Sequence, residues 1–137
     1  MAVLLASCCA GCLTFEKRWE EAEKHFVPKG SIIGRWEGHW SDEENEERGR
    51  LRCIVTPLKT GAFEARFQAM WFSILPREFV LPLRGANMGG LWHFVCEKDF
   101  GWRGGTQRFE GKVDPARFFS SYSSPHGKGV FEMGRPN

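Results

Sequence analysis

The sequence predicts an all-β domain, an eight-stranded antiparallel up-and-down barrel preceded by one amphipathic helix. Three observations carry that prediction. Beyond residue 33, apolar and polar residues alternate with a period of two, which is typical of strands with one buried face. Glycine, proline, serine and aspartate recur between these segments, as expected for short turns. The 12 Phe and 6 Trp, set against a single Tyr, favour strands further.

Size and charge exclude several classes of protein. The 137 residues correspond to one domain, which buries enough surface to fold without a disulfide or a structural metal. A net charge of +2 does not provide the strongly basic surface of a nucleic-acid-binding protein, so no nucleic-acid partner is predicted. No apolar run reaches 18 residues, and therefore no membrane-spanning helix is predicted.

The amino-terminal segment, residues 1–13, is uncharged and rich in cysteine. Within it, Leu5-Ala6-Ser7-Cys8 resembles the lipobox of bacterial lipoprotein signal peptides. That resemblance implies cleavage before Cys8, a diacylglyceryl group on its sulfur, and a membrane-anchored protein of the cell envelope. The alternative is an ordinary apolar terminus in a cytoplasmic protein. The Cys9-to-Cys12 spacing also matches a redox motif, but no βαβ pattern or second cysteine pair accompanies it.

Residues 14–28 are predicted to form the amphipathic helix. The polar side of the helix carries charges of both signs, and Thr14 is the expected N-cap. Pro28 to Gly30 ends the pattern. The helix either lies on a membrane surface or packs against the barrel, and its mixed charge favours packing. Its apolar stripe consists of Phe15, Trp19, Ala22 and Phe26.

The barrel domain is predicted over residues 31–137. Short connections favour antiparallel pairing of consecutive strands, and eight such strands close naturally into a barrel. A two-sheet sandwich is the alternative. Because alternate residues face inward, the pattern predicts an interior of Phe and Trp that fills most of the barrel. The predicted strands cover residues 33–41, 49–57, 62–72, 77–84, 91–98, 106–114, 117–123 and 128–135.

A second resemblance concerns the two ends of this domain. Gly34-Arg35-Trp36 resembles the Gly-x-Trp signature of lipocalins and related calycins, in which the Trp closes the base of the barrel. In that superfamily an Arg or Lys from the last strand covers the Trp, and Arg135 stands in the corresponding place. The opening Trp-Glu-Gly-x-Trp and the closing Phe-Glu-Met-x-Arg-Pro are also similar to small bacterial lipoproteins. The resemblance implies a lipocalin-like barrel and an anchor, but no activity.

No constellation of residues for catalysis, cofactor binding or metal binding is found. The four histidines, His25, His39, His93 and His126, fall in separate elements without metal-ligand spacing. Cys53 and Cys96 both face inward on separate strands, either as a disulfide or as two buried free thiols. The acidic run 42–47 lacks the spaced ligands of a calcium loop. The sequence therefore predicts a protein without a catalytic activity or a cofactor, and an enzyme of unrecognised type is the alternative.

Two functions from different classes follow. The first is a lipid-anchored envelope protein that binds a small apolar ligand at the open end of its barrel. The second is a solid-core structural or protein-interaction domain without a ligand. Trp102 and Arg103, in a glycine-rich hairpin, are the exposed candidates for contact with an unidentified protein partner. The candidate ligand-lining residues are Trp40, Phe63, Phe67, Trp71 and Trp92.

Overall fold

The computed structural model describes residues 14–44, 46–71, 75–125 and 127–137. Within them the chain forms one ten-residue helix, one helical turn and nine strands. The helices are α1 (Phe15–Lys24) and α2 (Gly101–Gly104), and the strands are β1 (Gly34–Asp42), β2 (Arg48–Pro57), β3 (Phe63–Trp71), β4 (Leu75–Leu83), β5 (Gly85–Met88), β6 (Leu91–Asp99), β7 (Thr106–Val113), β8 (Arg117–Ser124) and β9 (Gly127–Gly134).

All nine strands belong to one antiparallel sheet that curls into a nearly closed barrel. Their order is β4-β3-β2-β1-β9-β8-β7-β6-β5, so the first and last strands of the chain lie side by side. The two edges of the sheet, β4 and β5, are separated in the chain by Arg84 alone. The predicted all-β antiparallel barrel with one helix is thus confirmed, and no second sheet forms in the described part of the chain.

The predicted number of strands, eight, is wrong because residues 85–90 do not form a simple turn. Gly85–Met88 is instead a short strand, β5, that pairs with β6. The turn consists of Gly89 and Gly90 only, which have φ angles of +65° and +88°. Such a pair of left-handed residues forms a two-residue hairpin turn, and the Asn87 side chain accepts a hydrogen bond from the Gly90 amide.

The interior contains the aromatic residues that the alternation places there. The inward side chains of Trp36 on β1, Cys53 on β2 and Phe67 on β3 are completely buried. Strand pairing places Cys53 between the two aromatic residues. Phe67 stacks on Phe79 of the neighbouring strand with a centroid distance of 5.0 Å, and across the barrel it meets Phe131 of β9 at 5.7 Å. Aromatic packing therefore connects opposite walls of the barrel.

Helix α1 lies against the outer wall of β1 and β2, as the packing interpretation expects. Thr14 caps the helix, since its hydroxyl accepts a hydrogen bond from the Lys17 amide at 3.2 Å. Phe15 and Trp19 pack on Ile54, an outward residue that the helix buries. Helix α1 therefore covers part of the outer face of β1 and β2.

The helix ends earlier than predicted, at Lys24 rather than near Pro28. His25 is the C-cap: its backbone is extended, and its amide donates a hydrogen bond to the carbonyl oxygen of Ala22. Two residues further on, Pro28 disfavours a helical backbone at Val27, the residue before it. Phe26 consequently leaves the apolar stripe that its spacing predicts, and it is 87% exposed.

Candidate functional site

The base of the barrel brings together the three residues of the lipocalin-like signature, Gly34, Trp36 and Arg135. Trp36 is fully buried, and its indole N–H donates a hydrogen bond to the carbonyl oxygen of Ile32 at 3.0 Å. Its ring meets the edge of the Phe118 ring at 5.7 Å. The indole thus fills the end of the core, and its polar group has a partner.

Arg135 covers that indole. Its Cζ atom lies 3.9 Å from the centroid of the Trp36 ring, a cation–π contact worth about 0.5–2 kcal/mol. Burial lowers the pKa of Arg135, but a guanidinium remains charged in proteins at any ordinary pH. The guanidinium also donates to four backbone carbonyl oxygens, those of Ser31 (2.7 Å), Ile33 (2.9 Å), Arg35 (3.1 Å) and Pro115 (3.0 Å).

Gly34 is required by the same arrangement. Its φ angle of +106° lies in a region that side chains rarely adopt. A Cβ atom here would approach the Val27 side chain to 2.9 Å and the Arg135 Nη1 atom to 3.4 Å. The signature residues therefore form a closure of the barrel base, and they present no reactive group to solvent.

The candidate ligand-lining residues do not come together. Phe63 and Trp92 lie near the base, where their rings meet edge to face at 4.9 Å. Trp40 lies at the other end, with its indole N–H bonded to the carbonyl oxygen of Met70 at 3.1 Å. Phe67, fully buried, lies between the two ends.

The separation follows from strand geometry. Phe63 and Trp71 stand at opposite ends of β3, eight residues apart, which corresponds to about 26 Å. The side chain of Trp71 lies outside the described structure, although its backbone pairs with Leu75. Alternation correctly predicts a shared face for these residues but says nothing of their height along the barrel.

The two cysteines of the barrel are free thiols. Cys53 faces the core beside Trp36 and Phe67, and burial raises its pKa well above the ordinary value. Cys96 pairs with Phe109 on the other side of the barrel, and burial raises its pKa to about 11. Burial therefore favours the protonated thiol at both positions.

The remaining polar candidates are dispersed. His25 follows the helix, whereas His39 and His93 lie on the outer faces of β1 and β6; His126 falls outside the described residues. Among the described residues, no group of three or more His, Cys, Asp or Glu side chains is placed to hold a metal ion. Trp102 lies on α2 and is 86% exposed, while the side chain of Arg103 is not described.

Sequence reasoning missed a groove on the outer face of β6, β7 and β8, here called the β6–β8 groove. It has a volume of about 420 Å³. The sequence pattern that could have indicated this groove is an apolar residue at a position that the alternation places outward, as at Val95 and Phe119. The lining residues are Arg84, Gly85, His93, Phe94, Val95, Glu110, Gly111, Lys112, Phe119 and Ser121.

Comparison with models of known protein families, with curated proteins and with solved structures finds no match for this chain. In the part of the chain that the structure describes, no helix is long and apolar enough to span a membrane. Function therefore has to be inferred from the residues and geometry of the molecule itself.

Replacing Arg135 tests the closure of the base. We expect Arg135→Ala to lower the free energy of unfolding by about 3 kcal/mol, because four carbonyl oxygens lose a charged donor. Arg135→Lys should recover only part of the loss, since an ammonium cannot reach the same set of acceptors. Urea denaturation measures both.

Arg117→Ala is the matched control for Arg135. Arg117 forms an exposed ion pair with Glu132 at the same end of the barrel. Arg117→Ala should therefore lower the free energy of unfolding by less than about 1 kcal/mol. Equal losses for the Arg117 and Arg135 variants would contradict a special role of Arg135.

The thiols predict a pH dependence of stability. Burial raises the pKa of Cys96 from 9.0 to about 11, so the folded state keeps a proton that the unfolded state releases between these values. Stability should therefore fall as the pH rises through this window. Urea midpoints compared at pH 8 and pH 10.5 should show a smaller fall in Cys96→Ala than in the parent chain. An identical fall would contradict the burial of this thiol.

Proposed function

We propose that this chain is a non-catalytic binding domain whose solid barrel presents its binding surface on the outside. The observation that carries the proposal is the aromatic packing of the interior. Phe67 contacts the rings of Phe79, Phe118 and Phe131, with centroid distances of 5.0 to 5.9 Å. Rings in contact with one another occupy the space in which an eight-stranded barrel would hold a small ligand. This favours the solid-core alternative over a carrier with an internal site.

The dispersion of the ligand-lining candidates supports the same choice. An internal site for an apolar ligand would need several of these side chains around one space. Trp40 and Phe63 instead lie at opposite ends of the barrel. The indole N–H of Trp40 donates to the carbonyl oxygen of Met70, and that of Trp92, next to Phe63, donates to the carbonyl oxygen of Leu83. The indole rings of Trp40 and Trp92 therefore close the two ends of the core.

The proposal includes a lipocalin-like arrangement of the strands. In it, β4 and β5 are two halves of a single strand that bends at Arg84 and passes from β3 to β6. Three facts support this reading: the strand order follows the chain, β9 returns to pair with β1, and Arg135 stacks on Trp36. In this arrangement the nine strands follow one another around the barrel in an up-and-down order.

The proposal also includes a lipid anchor at Cys8, which lies outside the described residues. Its support is the lipobox-like Leu5-Ala6-Ser7-Cys8 in the sequence. Helix α1 begins at Phe15, close behind that segment, and is fastened to the barrel wall by Trp19. A domain tethered in this way would stand at the membrane of the cell envelope.

A cavity created on purpose tests the solid core. Phe67→Ala should lower the free energy of unfolding by about 3–5 kcal/mol and leave a void lined by aromatic rings. Such a void binds benzene or xenon, so benzene should raise the melting temperature of this variant. The parent chain, and Phe119→Ala on the outer face, should show no rise. A comparable rise in the parent chain would contradict the solid core.

The anchor has its own test. The chain is expressed in a bacterium behind its native upstream sequence, and intact mass and membrane partitioning are measured beside Cys8→Ser. We expect a mass increase that matches a diacylglyceryl and an acyl group, lost in the variant together with partitioning. An unmodified Cys8 in a soluble parent chain would overturn the envelope location and leave the solid-core proposal untouched.

A further inference from the structure

Exposed apolar side chains are found at the base of the barrel, on three separate connections. Phe26 (87% exposed) lies in the segment that leads into β1, Leu58 (37%) in the turn between β2 and β3, and Met88 (60%) beside the turn between β5 and β6. Strand direction places all three at one end, because β1 and β6 begin there and β2 ends there. These connections, residues 25–33, 58–62 and 84–90, are here called the base rim.

The apolar side chains of the base rim lie at or beyond the ends of the strands. Met88 is in the last residue pair of the β5–β6 hairpin, past the point where β7 ends. Leu58 follows the last residue pair of β2 with β3. Phe26 precedes Val27, whose side chain lies against Gly34 at the start of β1. A surface that approaches the base therefore meets these side chains before it meets the barrel wall.

Each connection of the base rim also carries a cation, within four residues of its apolar side chain. All three cations are exposed, and in the described part of the chain none of them forms an ion pair. The same combination of residues thus occurs three times around one end of the barrel. The combinations are Phe26 with Lys29, Leu58 with Lys59, and Met88 with Arg84.

The two ends of the barrel have opposite charge. The connections at the base contain four Lys or Arg residues and one acidic residue, Asp114, whereas those at the other end contain four Glu residues and one Arg. The Asp114 carboxylate accepts hydrogen bonds from the amides of Ala116 and Arg117. An anionic surface is therefore attracted to the base and repelled from the other end. The base connections are residues 25–33, 58–62, 84–90, 114–116 and 135–137, and the others are 43–47, 72–74, 100–105 and 125–126.

The acidic residues of the strands do not cancel this charge at the base. Glu64 and Glu132 are each paired with an arginine, at 3.9 Å and 2.6 Å. Glu37 and Glu110 each stand three residues from the base end of their strands, which corresponds to about 10 Å. The carboxylates nearest to the base are therefore neutralised by partners, and the unpaired ones lie further up the wall.

We propose that the base of the barrel docks on an anionic lipid bilayer, with Phe26, Leu58 and Met88 in the bilayer interface and the neighbouring cations among the headgroups. This rests on the proposed function, since it names the partner of the outer surface of the solid barrel. A bilayer presents anionic headgroups above apolar chains, which matches a cation beside an apolar side chain on each connection. Side chains on separate connections around one end can all contact a flat surface at the same time.

The test uses the full chain carrying Cys8→Ser, so that vesicle binding reports on the protein surface and not on a lipid anchor. Cosedimentation is measured with vesicles of phosphatidylcholine alone and with vesicles of equal parts phosphatidylcholine and phosphatidylglycerol. We expect binding to the anionic vesicles to be at least about tenfold stronger, because three cations contribute. This binding should weaken as NaCl rises from about 0.1 M to about 0.5 M.

Variants of the base rim locate the contact. Phe26→Ser and Met88→Ser should each weaken binding about five- to tenfold, less than complete burial of such side chains would give. Lys29→Gln and Lys59→Gln should each weaken binding to anionic vesicles about fivefold and leave binding to neutral vesicles unchanged. Trp102→Ser is the matched control, since Trp102 is an exposed aromatic residue at the other end of the barrel, and it should bind like the parent chain.

Three results would overturn the docking surface. The first is equal binding to neutral and anionic vesicles, or unchanged binding in the base-rim variants. The second is a loss of binding in Trp102→Ser, which would move the contact to the other end of the barrel. The third is a dimer in sedimentation experiments without vesicles that Phe26→Ser dissociates, because the base rim would then bind a second copy of this chain.

The outcomes separate this inference from the proposed function. Absence of vesicle binding, with benzene stabilising only Phe67→Ala, would overturn the docking surface and leave the solid core standing. Lipid-induced shifts in ¹H–¹⁵N spectra that centre on Phe67 and Phe109, inside the barrel, would overturn both. Shifts confined to amides of the base rim, with the expected losses in its variants, support both.

Discussion

The contact between Arg135 and Trp36 is the constraint on which the barrel depends. One guanidinium stacks on the indole at 3.9 Å and collects four backbone carbonyl oxygens, three from residues 31–35 and one from Pro115. It thereby ties the chain before β1 to the loop before β8 and to the end of β9. These segments are far apart in sequence, so the contact sets the base of the barrel and the register of the strands that close it.

Above that base, aromatic rings fill the barrel. Phe118 meets Trp36, Phe67 meets Phe118, and further ring contacts continue through Phe131 to Tyr122 near the other end. Rings of this size need partners on every side to recover their dispersion energy, and the barrel radius suits one such column. The proposed binding surface on the outside of the barrel follows from this packing.

Helix α1 covers part of the outer surface of the barrel, on β1 and β2. Trp19 lies between Arg35 and Arg52, whose Cζ atoms stand 4.9 Å and 5.0 Å from the ring centroid. Arg52 also donates a hydrogen bond to Glu16 and thereby lowers the pKa of that carboxyl. Ion pairs and cation–π contacts therefore hold the helix on the barrel wall. Charged and apolar side chains also line the β6–β8 groove on the outer face of the barrel.

The sequence by itself determined which residues face inward and where the helix begins. A period of two sets the face of a strand residue, so Trp36, Phe67 and Phe109 were predictable as core, and Thr14 as the N-cap. The same pattern contains no information on height along a barrel, which is why Trp40 and Phe63 belong to one predicted face but to opposite ends. Only the tertiary structure decided the break between β4 and β5 at Arg84, the exposure of Phe26, and the groove whose lining comes from separate strands. Those features depend on strand register and chain crossing, which are set by contacts between residues distant in sequence.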